Sequence, residues 1–126
     1  MIPQNKISKF LGLLIKDSKS GKVEWTISSS KRINSLEGEQ NLIGKVYEAK
    51  YLEKYLRIYK YSEPVQVDEF EFQDKVFFKL EFVDDYENNL WSFPFFMREL
   101  SDLYNIVQIK SSGIDKFFDQ FDNGEL

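Results

Sequence analysis

The chain contains no histidine and no cysteine. Without cysteine it has no thiolate nucleophile, disulfide bond or iron–sulfur cluster, and no zinc site built on thiolates. Without histidine it has no imidazole to act as a general base near neutral pH, which excludes the Ser–His–Asp and Cys–His arrangements. An enzyme would have to use carboxylates, lysine, tyrosine and serine, with or without a hard metal such as Mg2+. We therefore expect a binding protein without cofactor or metal.

Long hydrophobic runs are also missing. The apolar run at residues 10–15 is interrupted by Gly12 and is short for the core of a signal peptide. No stretch approaches the roughly 20 apolar residues that cross a bilayer. The chain has 126 residues, of which 42% are hydrophobic and 30% charged, proportions typical of one globular domain. We expect a single soluble, cytoplasmic domain spanning residues 1–126, without membrane contact.

Apolar spacing predicts helices at both ends of the chain. Near the N-terminus, apolar residues recur at i, i+3, i+4 and i+7, and Gly21 follows as a C-terminal cap, which predicts a helix over Asn5–Ser20. The same spacing recurs over Leu100–Val107 and over Ile114–Phe121. The Ser-Ser-Gly sequence at 111–113 separates these two stripes, so it predicts a kink or a division into two helices.

The middle of the chain is rich in β-forming residues. The predicted strands are Val23–Ile27, Ile43–Leu52, Tyr55–Tyr61, Val76–Val83 and Leu90–Phe93. A turn near Glu53–Lys54 makes Ile43–Tyr61 a hairpin, although a single long bent strand is an alternative. A polar loop over 28–44 and an acidic connector over Ser62–Lys75 separate the strands. Short connections favour an antiparallel sheet of about four to five strands with the helices packed on one face, an α+β fold.

Charge is divided unevenly along the chain. Residues 1–62 carry 12 Lys/Arg against 6 Asp/Glu, a net of +6, whereas residues 63–126 carry 5 against 15, a net of −10. Such a two-signed distribution suits a charged protein partner, although the halves can also neutralise each other within one fold. The oligomeric state is not indicated.

Tyrosines and bases alternate over Tyr47–Tyr61, where rings could stack nucleobases while Lys50, Lys54, Arg57 and Lys60 hold phosphates. Single-stranded nucleic-acid binding is therefore an alternative function. It is the less favoured one, because tyrosine is also a common structural residue of strands and because the neighbouring connector is acidic.

A metal-dependent phosphodiester hydrolase is the second alternative. Asp17-Ser18-Lys19 and Glu48-Ala49-Lys50 match an acid-x-Lys element, in which carboxylates hold Mg2+ and lysine activates water. About two such matches are expected by chance in a chain of this composition. This hypothesis requires Glu48 and Lys50 to converge with acids such as Asp68 or Glu71.

Two further features could contact a protein, although a polar hairpin turn explains the first more simply and a corner of the core explains the second. Asp84 and Asp85 open an acidic turn whose spacing does not fit a calcium-binding loop, and Trp91 begins an aromatic cluster around Pro94. Residues 14–25 and 90–94 resemble stretches of small bacterial or phage proteins, a resemblance that implies no family or activity. We predict a protein-binding module of the immunity, inhibitor or accessory type. Its predicted partner-binding residues are Tyr51, Tyr55, Tyr59, Trp91, Asp84 and Asp85.

Overall fold

The structure, a computed structural model, describes residues 1–28, 33 and 35–124 and has the predicted α+β architecture. An N-terminal helix precedes the strands of one sheet, and two helices follow them. The elements in chain order are α1 (Gln4–Ser20), β1 (Thr26–Ile27), β2 (Asn41–Tyr51), β3 (Lys54–Gln66), β4 (Phe72–Val83), β5 (Asn89–Ser92), α2 (Glu99–Ser112) and α3 (Ile114–Asp122).

The sheet is an antiparallel meander in which every strand pairs with its neighbours in sequence, in the order β1-β2-β3-β4-β5. The predicted hairpin is confirmed, and its turn lies one residue earlier than predicted. Leu52 and Glu53 form the two-residue loop with φ of 50° and 65°. Positive φ at both positions is the type I′ geometry that matches the twist of paired strands. The alternative of one bent strand is wrong.

The acidic connector predicted over Ser62–Lys75 is mostly strand, which corrects the sequence interpretation. β3 continues to Gln66 and β4 begins at Phe72, so only a short turn remains between them. Pro64 lies within β3 opposite Asp74, whereas pairing with β2 ends at Ser62. Beyond Ser62, β3 pairs on one side only among the strands that the structure describes, and the missing N–H of proline is tolerated at such an edge.

The first predicted strand is much shorter than expected, because β1 comprises Thr26 and Ile27 in the described part of the chain, and Val23–Trp25 are not in it. The polar loop predicted over 28–44 ends earlier, since β2 begins at Asn41. Residues 29–32 and 34 of that loop lie outside the described residues.

The main core lies between one face of the sheet and helices α1 and α2. Alternate residues of the strands point toward this face, where they meet the buried stripe of each helix. The buried members from the helices are Ile7, Leu11, Leu14, Leu100, Leu103, Tyr104 and Val107, and those from the strands are Tyr47, Ala49, Tyr51, Leu56, Ile58 and Leu80.

A smaller core covers part of the opposite face. Ile33 and Leu36 pack there against Val46, Tyr59 and Tyr61. Ile33 and Leu36, from the segment that joins β1 to β2, therefore lie on the side of the sheet away from the helices.

Gly113 divides the C-terminal helical region, as its sequence predicted. It adopts φ of 76°, a left-handed conformation that ends α2, and α3 begins at the next residue. An ion pair of 2.9 Å between Lys110 Nζ and Asp115 Oδ2 spans the corner.

Within the described residues, no helix combines the length and the apolar character needed to traverse a membrane.

Candidate protein-interaction surfaces

The tyrosines that alternate with bases are divided between the two faces of the sheet. Tyr47 and Tyr51 lie in the core beneath the helices, whereas Tyr59 and Tyr61 lie in the smaller core on the other face. Tyr55 is 43% exposed and its ring lies 5.7 Å from Lys50 Nζ. The rings therefore do not form one continuous platform on which successive bases could stack.

Two of the predicted partner-binding tyrosines have structural contacts instead. Tyr51 donates its hydroxyl to Asp17 Oδ2 at 2.6 Å, which joins β2 to α1. Burial, followed by the neighbouring carboxylate, raises the pKa of Tyr51 to about 12. Tyr59 is completely buried, and burial also raises its pKa. Tyr51 and Tyr59 therefore leave little or no surface accessible to a partner.

An ion pair that sequence reasoning missed lies buried on the sheet face away from the helices. Arg57 on β3 stands opposite Glu81 on β4, and both side chains are almost fully buried. Arg57 Nε donates to Glu81 Oε1 at 2.7 Å, and Nη2 lies 2.5 Å from the same oxygen. The register that pairs them is decided by the folded sheet, so no local sequence signal identifies the pair.

Polar side chains from other elements complete this buried network. Ser35 donates its hydroxyl to Glu81 Oε1 at 3.0 Å, and Asn89 donates its side-chain amide to Oε2 at 2.6 Å. The hydroxyls of Ser35 and Tyr59 are 3.0 Å apart, and because the Ser35 proton goes to Glu81, Tyr59 donates to Ser35. The network therefore connects the β1–β2 segment with β3, β4 and the start of β5.

An acidic hollow opens beside the β4–β5 turn. It has a volume of about 400 Å³, and its lining residues are Glu48, Tyr55, Leu56, Val83, Asp84, Asp85 and Glu87. The structure thus brings together Tyr55, Asp84 and Asp85, three of the predicted partner-binding residues. Burial is the main cause that raises the pKa of Glu48, and nearby Glu87 adds to it.

Asp84 has a structural role within that turn. Its Oδ1 accepts the backbone N–H groups of Tyr86 and Asn88, each at 2.9 Å. These bonds, led by the one from Asn88, lower the pKa of the Asp84 carboxyl. A carboxylate that accepts backbone N–H groups two and four residues ahead holds a tight turn, as aspartate often does.

The carboxylates required for a metal-dependent hydrolase are not brought together. Asp68 and Glu71 lie in the β3–β4 turn beyond Gln66, whereas Glu48 stands opposite Arg57. Nine residues of strand separate Arg57 from Gln66, which corresponds to roughly 30 Å. Across the part of the chain that the structure describes, no three acidic side chains are grouped closely enough to hold a metal ion.

Trp91 borders an apolar depression that begins between α1 and the β4–β5 edge of the sheet and continues over the exposed surface of α1. Its ring packs on Phe93 with centroids 4.8 Å apart, and on Phe82 at 6.2 Å. The first part of the depression, about 440 Å³, is lined by Ile2, Lys6, Ile7, Phe10, Phe82, Trp91 and Phe93. A second part, about 520 Å³, is lined by Lys6, Lys9, Phe10, Gly12, Leu13 and Lys16. The two parts share Lys6 and Phe10, and together we call them the α1 groove.

Helix α3 leaves all four side chains of its apolar stripe about half exposed or more. Ile114, Phe117, Phe118 and Phe121 occupy positions i, i+3, i+4 and i+7, and between 49% and 66% of each is exposed. α3 has no buried residue. A stripe with this spacing is normally the face that a helix places against a core. The spacing was visible in the sequence, but spacing alone does not tell whether the stripe is covered.

Acidic side chains lie beside this stripe. Asp115, Asp119 and Asp122 follow at i, i+4 and i+7, so they form a second line along one flank of the helix. Lys116 is the only basic residue of α3. The helix therefore presents an apolar ridge with a negatively charged border, which we call the α3 ridge.

Comparisons of the chain with protein-family models, with curated proteins and with solved structures find no match.

Proposed function

We propose that this chain is a small non-catalytic protein-binding module of the immunity, inhibitor or accessory type, and that it binds its partner through the α3 ridge. The exposed apolar stripe of α3 is the observation that carries this proposal. Three phenylalanines and an isoleucine in contact with water are unfavourable for an isolated chain, because burying the exposed half of each would be worth roughly 1–1.5 kcal/mol. An exposed apolar patch of this kind marks an interaction site.

The spacing of the stripe supports a particular mode of binding. Anchors at i, i+3, i+4 and i+7 are those of an amphipathic helix that lies in a hydrophobic groove of another protein. The three phenylalanine rings are each exposed by half or more. They would bury roughly 300–400 Å² together, a little under half of the ~800 Å² that one partner contributes to a standard interface. The α3 ridge would thus act as the anchor of a wider contact.

The acidic residues beside the stripe indicate which charge the partner should carry. Asp119 and Asp122 form no ion pair with any residue that the structure describes. A groove bordered by lysine or arginine would complement them, whereas an anionic membrane or a nucleic-acid backbone would repel them. The expected partner is a protein with a basic border around an apolar groove.

The acidic hollow at Glu48, Asp84 and Asp85 is a second surface of the same sign. We propose that it accepts a lysine or arginine side chain at the periphery of such a complex, which keeps Asp84, Asp85 and Tyr55 as partner-binding residues. Peripheral charges mainly change association rates, so this surface should contribute less to affinity than the α3 ridge.

We also propose a cytoplasmic location, with which a chain that lacks cysteine is compatible. Hydrolase activity and single-stranded nucleic-acid binding remain alternatives that no grouping of the described side chains favours.

The proposal is tested by capture of a partner from the native host, followed by binding between purified proteins. Phe117→Ser combined with Phe121→Ser removes two anchors, and we expect the affinity for the captured partner to fall at least ~30-fold, as loss of strong anchors does. Phe70→Ser is the matched control, because Phe70 is 86% exposed on the distant β3–β4 turn. An unchanged affinity in the double variant, whose fold is checked by circular dichroism, would refute a role of α3 in binding.

A further inference from the structure

The α1 groove has the chemistry that the α3 ridge requires, and both are present in one chain. Its floor is apolar, with Phe10 shared by both of its parts and Leu13 46% exposed. Its border carries Lys6, Lys9 and Lys16. We infer that the α1 groove receives the α3 ridge of a second copy of this chain. This inference rests on the proposed function of α3 as a docking helix, and it names the partner.

The dimensions of the two surfaces agree. α3 has nine residues and the groove follows α1 from Lys6 to Lys16. At 1.5 Å per residue, the nine residues of α3 and the eleven residues from Lys6 to Lys16 correspond to helical lengths of about 14 Å and about 17 Å. The apolar stripe of α3 can therefore lie along the groove for its whole length.

Their charges are opposite along the same length. α1 carries Lys6, Lys9 and Lys16 on or beside its exposed apolar residues, and α3 carries Asp115, Asp119 and Asp122 beside its phenylalanines. Asp115 already contacts Lys110 of its own chain, so Asp119 and Asp122 are the acids available for the lysines. The basic first half and the acidic second half of the sequence would thus supply the two oppositely charged surfaces of this contact.

Gly12 gives an independent indication of close approach. Glycine in the middle of a helix is destabilising by roughly 0.5–1 kcal/mol relative to alanine. A Cβ built on Gly12 meets nothing within 4 Å, so packing among the described residues does not require a glycine at this position. Gly12 lines the groove, where a side chain would occupy the space that a docked helix needs.

Both surfaces are open in a single chain. Ser18 and Lys110 line one hollow, so α2 ends, and α3 begins, beside the C-terminal end of α1. From that position α3 buries no side chain. A contact between two different surfaces either closes reciprocally between two copies or continues into longer assemblies.

The test uses two charge-reversed chains, whose masses are followed by sedimentation equilibrium between ~1 µM and ~1 mM, the range of weak to moderate affinities. One chain carries Lys9→Glu and Lys16→Glu, and the other carries Asp119→Lys and Asp122→Lys. Wild type should associate, whereas each variant alone should lose association at least ~10-fold because like charges then face each other. An equimolar mixture of the two variants should associate again, since both contacts regain opposite charges.

Gly12→Leu supplies a second variant that does not depend on charge. Leucine is a better helix former than glycine, so the monomer should stay folded while the side chain fills the groove and reduces association at least ~10-fold. A wild type that keeps the mass of one chain over the whole range would overturn the inference. Association that persists unchanged in Gly12→Leu and in both charge variants would also overturn it.

The same variants separate this inference from the proposed function. If wild type stays monomeric but Phe117→Ser with Phe121→Ser still abolishes binding of another purified protein, α3 is a docking helix and the second copy is not its partner. If that double variant changes neither self-association nor binding of any partner, the proposed function fails together with the inference.

Discussion

Helices α2 and α3 follow each other directly and carry the same kind of apolar stripe, yet only one of them is covered. α2 buries Leu100, Leu103, Tyr104 and Val107 against the sheet and α1. α3, beyond Gly113, buries none of its residues. The comparison shows that helical spacing determines which side of a helix is apolar. Whether that side faces its own core or a partner depends on where the preceding turn directs the helix.

Charged residues show the same contrast. Arg57 and Glu81 are buried and hydrogen-bonded to each other, whereas the acids of the β3–β4 turn, such as Glu71, are exposed. If the buried pair holds the fold, the same substitution must have very different effects on stability at buried and at exposed positions.

The largest effect is expected at Glu81. Glu81→Gln leaves Arg57 buried without its counter-charge, and breaking a buried pair in this way costs about 3–5 kcal/mol of the free energy of unfolding. Glu71→Gln is the matched control at an exposed position and should change stability by less than about 0.5 kcal/mol. Urea unfolding followed by circular dichroism measures both. Equal stabilities of the two variants would contradict the claim that the buried charge pair stabilises the fold and the exposed acid does not.

The two helical stripes provide the next test. Leu103→Ala removes a fully buried side chain and should cost about 2–5 kcal/mol, since it leaves a cavity in the core. Phe118→Ala removes a side chain that is 61% exposed. It should change monomer stability by no more than about 0.5 kcal/mol. A loss above 1 kcal/mol in Phe118→Ala, measured on dilute protein, would mean that α3 is covered by its own chain.

Tyr51 and Tyr55 provide a comparison that depends on pH. The raised pKa of Tyr51, about 12, means that its hydroxyl keeps its proton in the folded chain at pH values where an unfolded tyrosine, near 10, has lost it. The unfolded state then releases more protons, so stability present below pH ~10 declines as pH rises from 10 toward 12. Urea midpoints at rising pH should fall less steeply in Tyr51→Phe than in wild type. Tyr55→Phe, at an exposed ring, is the control, and an identical slope in Tyr51→Phe would contradict the assignment.

The smallest effect concerns the β2–β3 turn. Leu52 and Glu53 have positive φ angles, a backbone conformation that asparagine and glycine adopt more readily. Leu52→Asn with Glu53→Gly should therefore raise the free energy of unfolding by about 1 kcal/mol. Thermal unfolding measures the gain. Because the turn lies in the sheet and not in either proposed docking surface, self-association should be unchanged, which distinguishes a stabilised fold from a stronger contact.

Local sequence determined most of the elements. Apolar spacing and Gly21 predicted α1 within one residue at its start, and Gly113 predicted the division between α2 and α3. β-branched and aromatic residues predicted the strands, because they fit a pleated, half-buried surface. The connector at Ser62–Lys75 was misread, since its acidic residues and Pro64 favour a loop locally whereas pairing with β4 extends β3 through it. Long-range pairing is not encoded in any short window of residues.

The sequence by itself determined the α+β class, the absence of imidazole and thiol chemistry, and the amphipathic character of every helix. These properties follow from composition and from spacing along one element. Tertiary structure alone decided that Arg57 meets Glu81, that Tyr59 is buried while Tyr55 is exposed, and that the apolar stripe of α3 is left uncovered. The physical reason is that burial and partnership depend on which distant residues are brought together, and that is settled only when the whole chain packs.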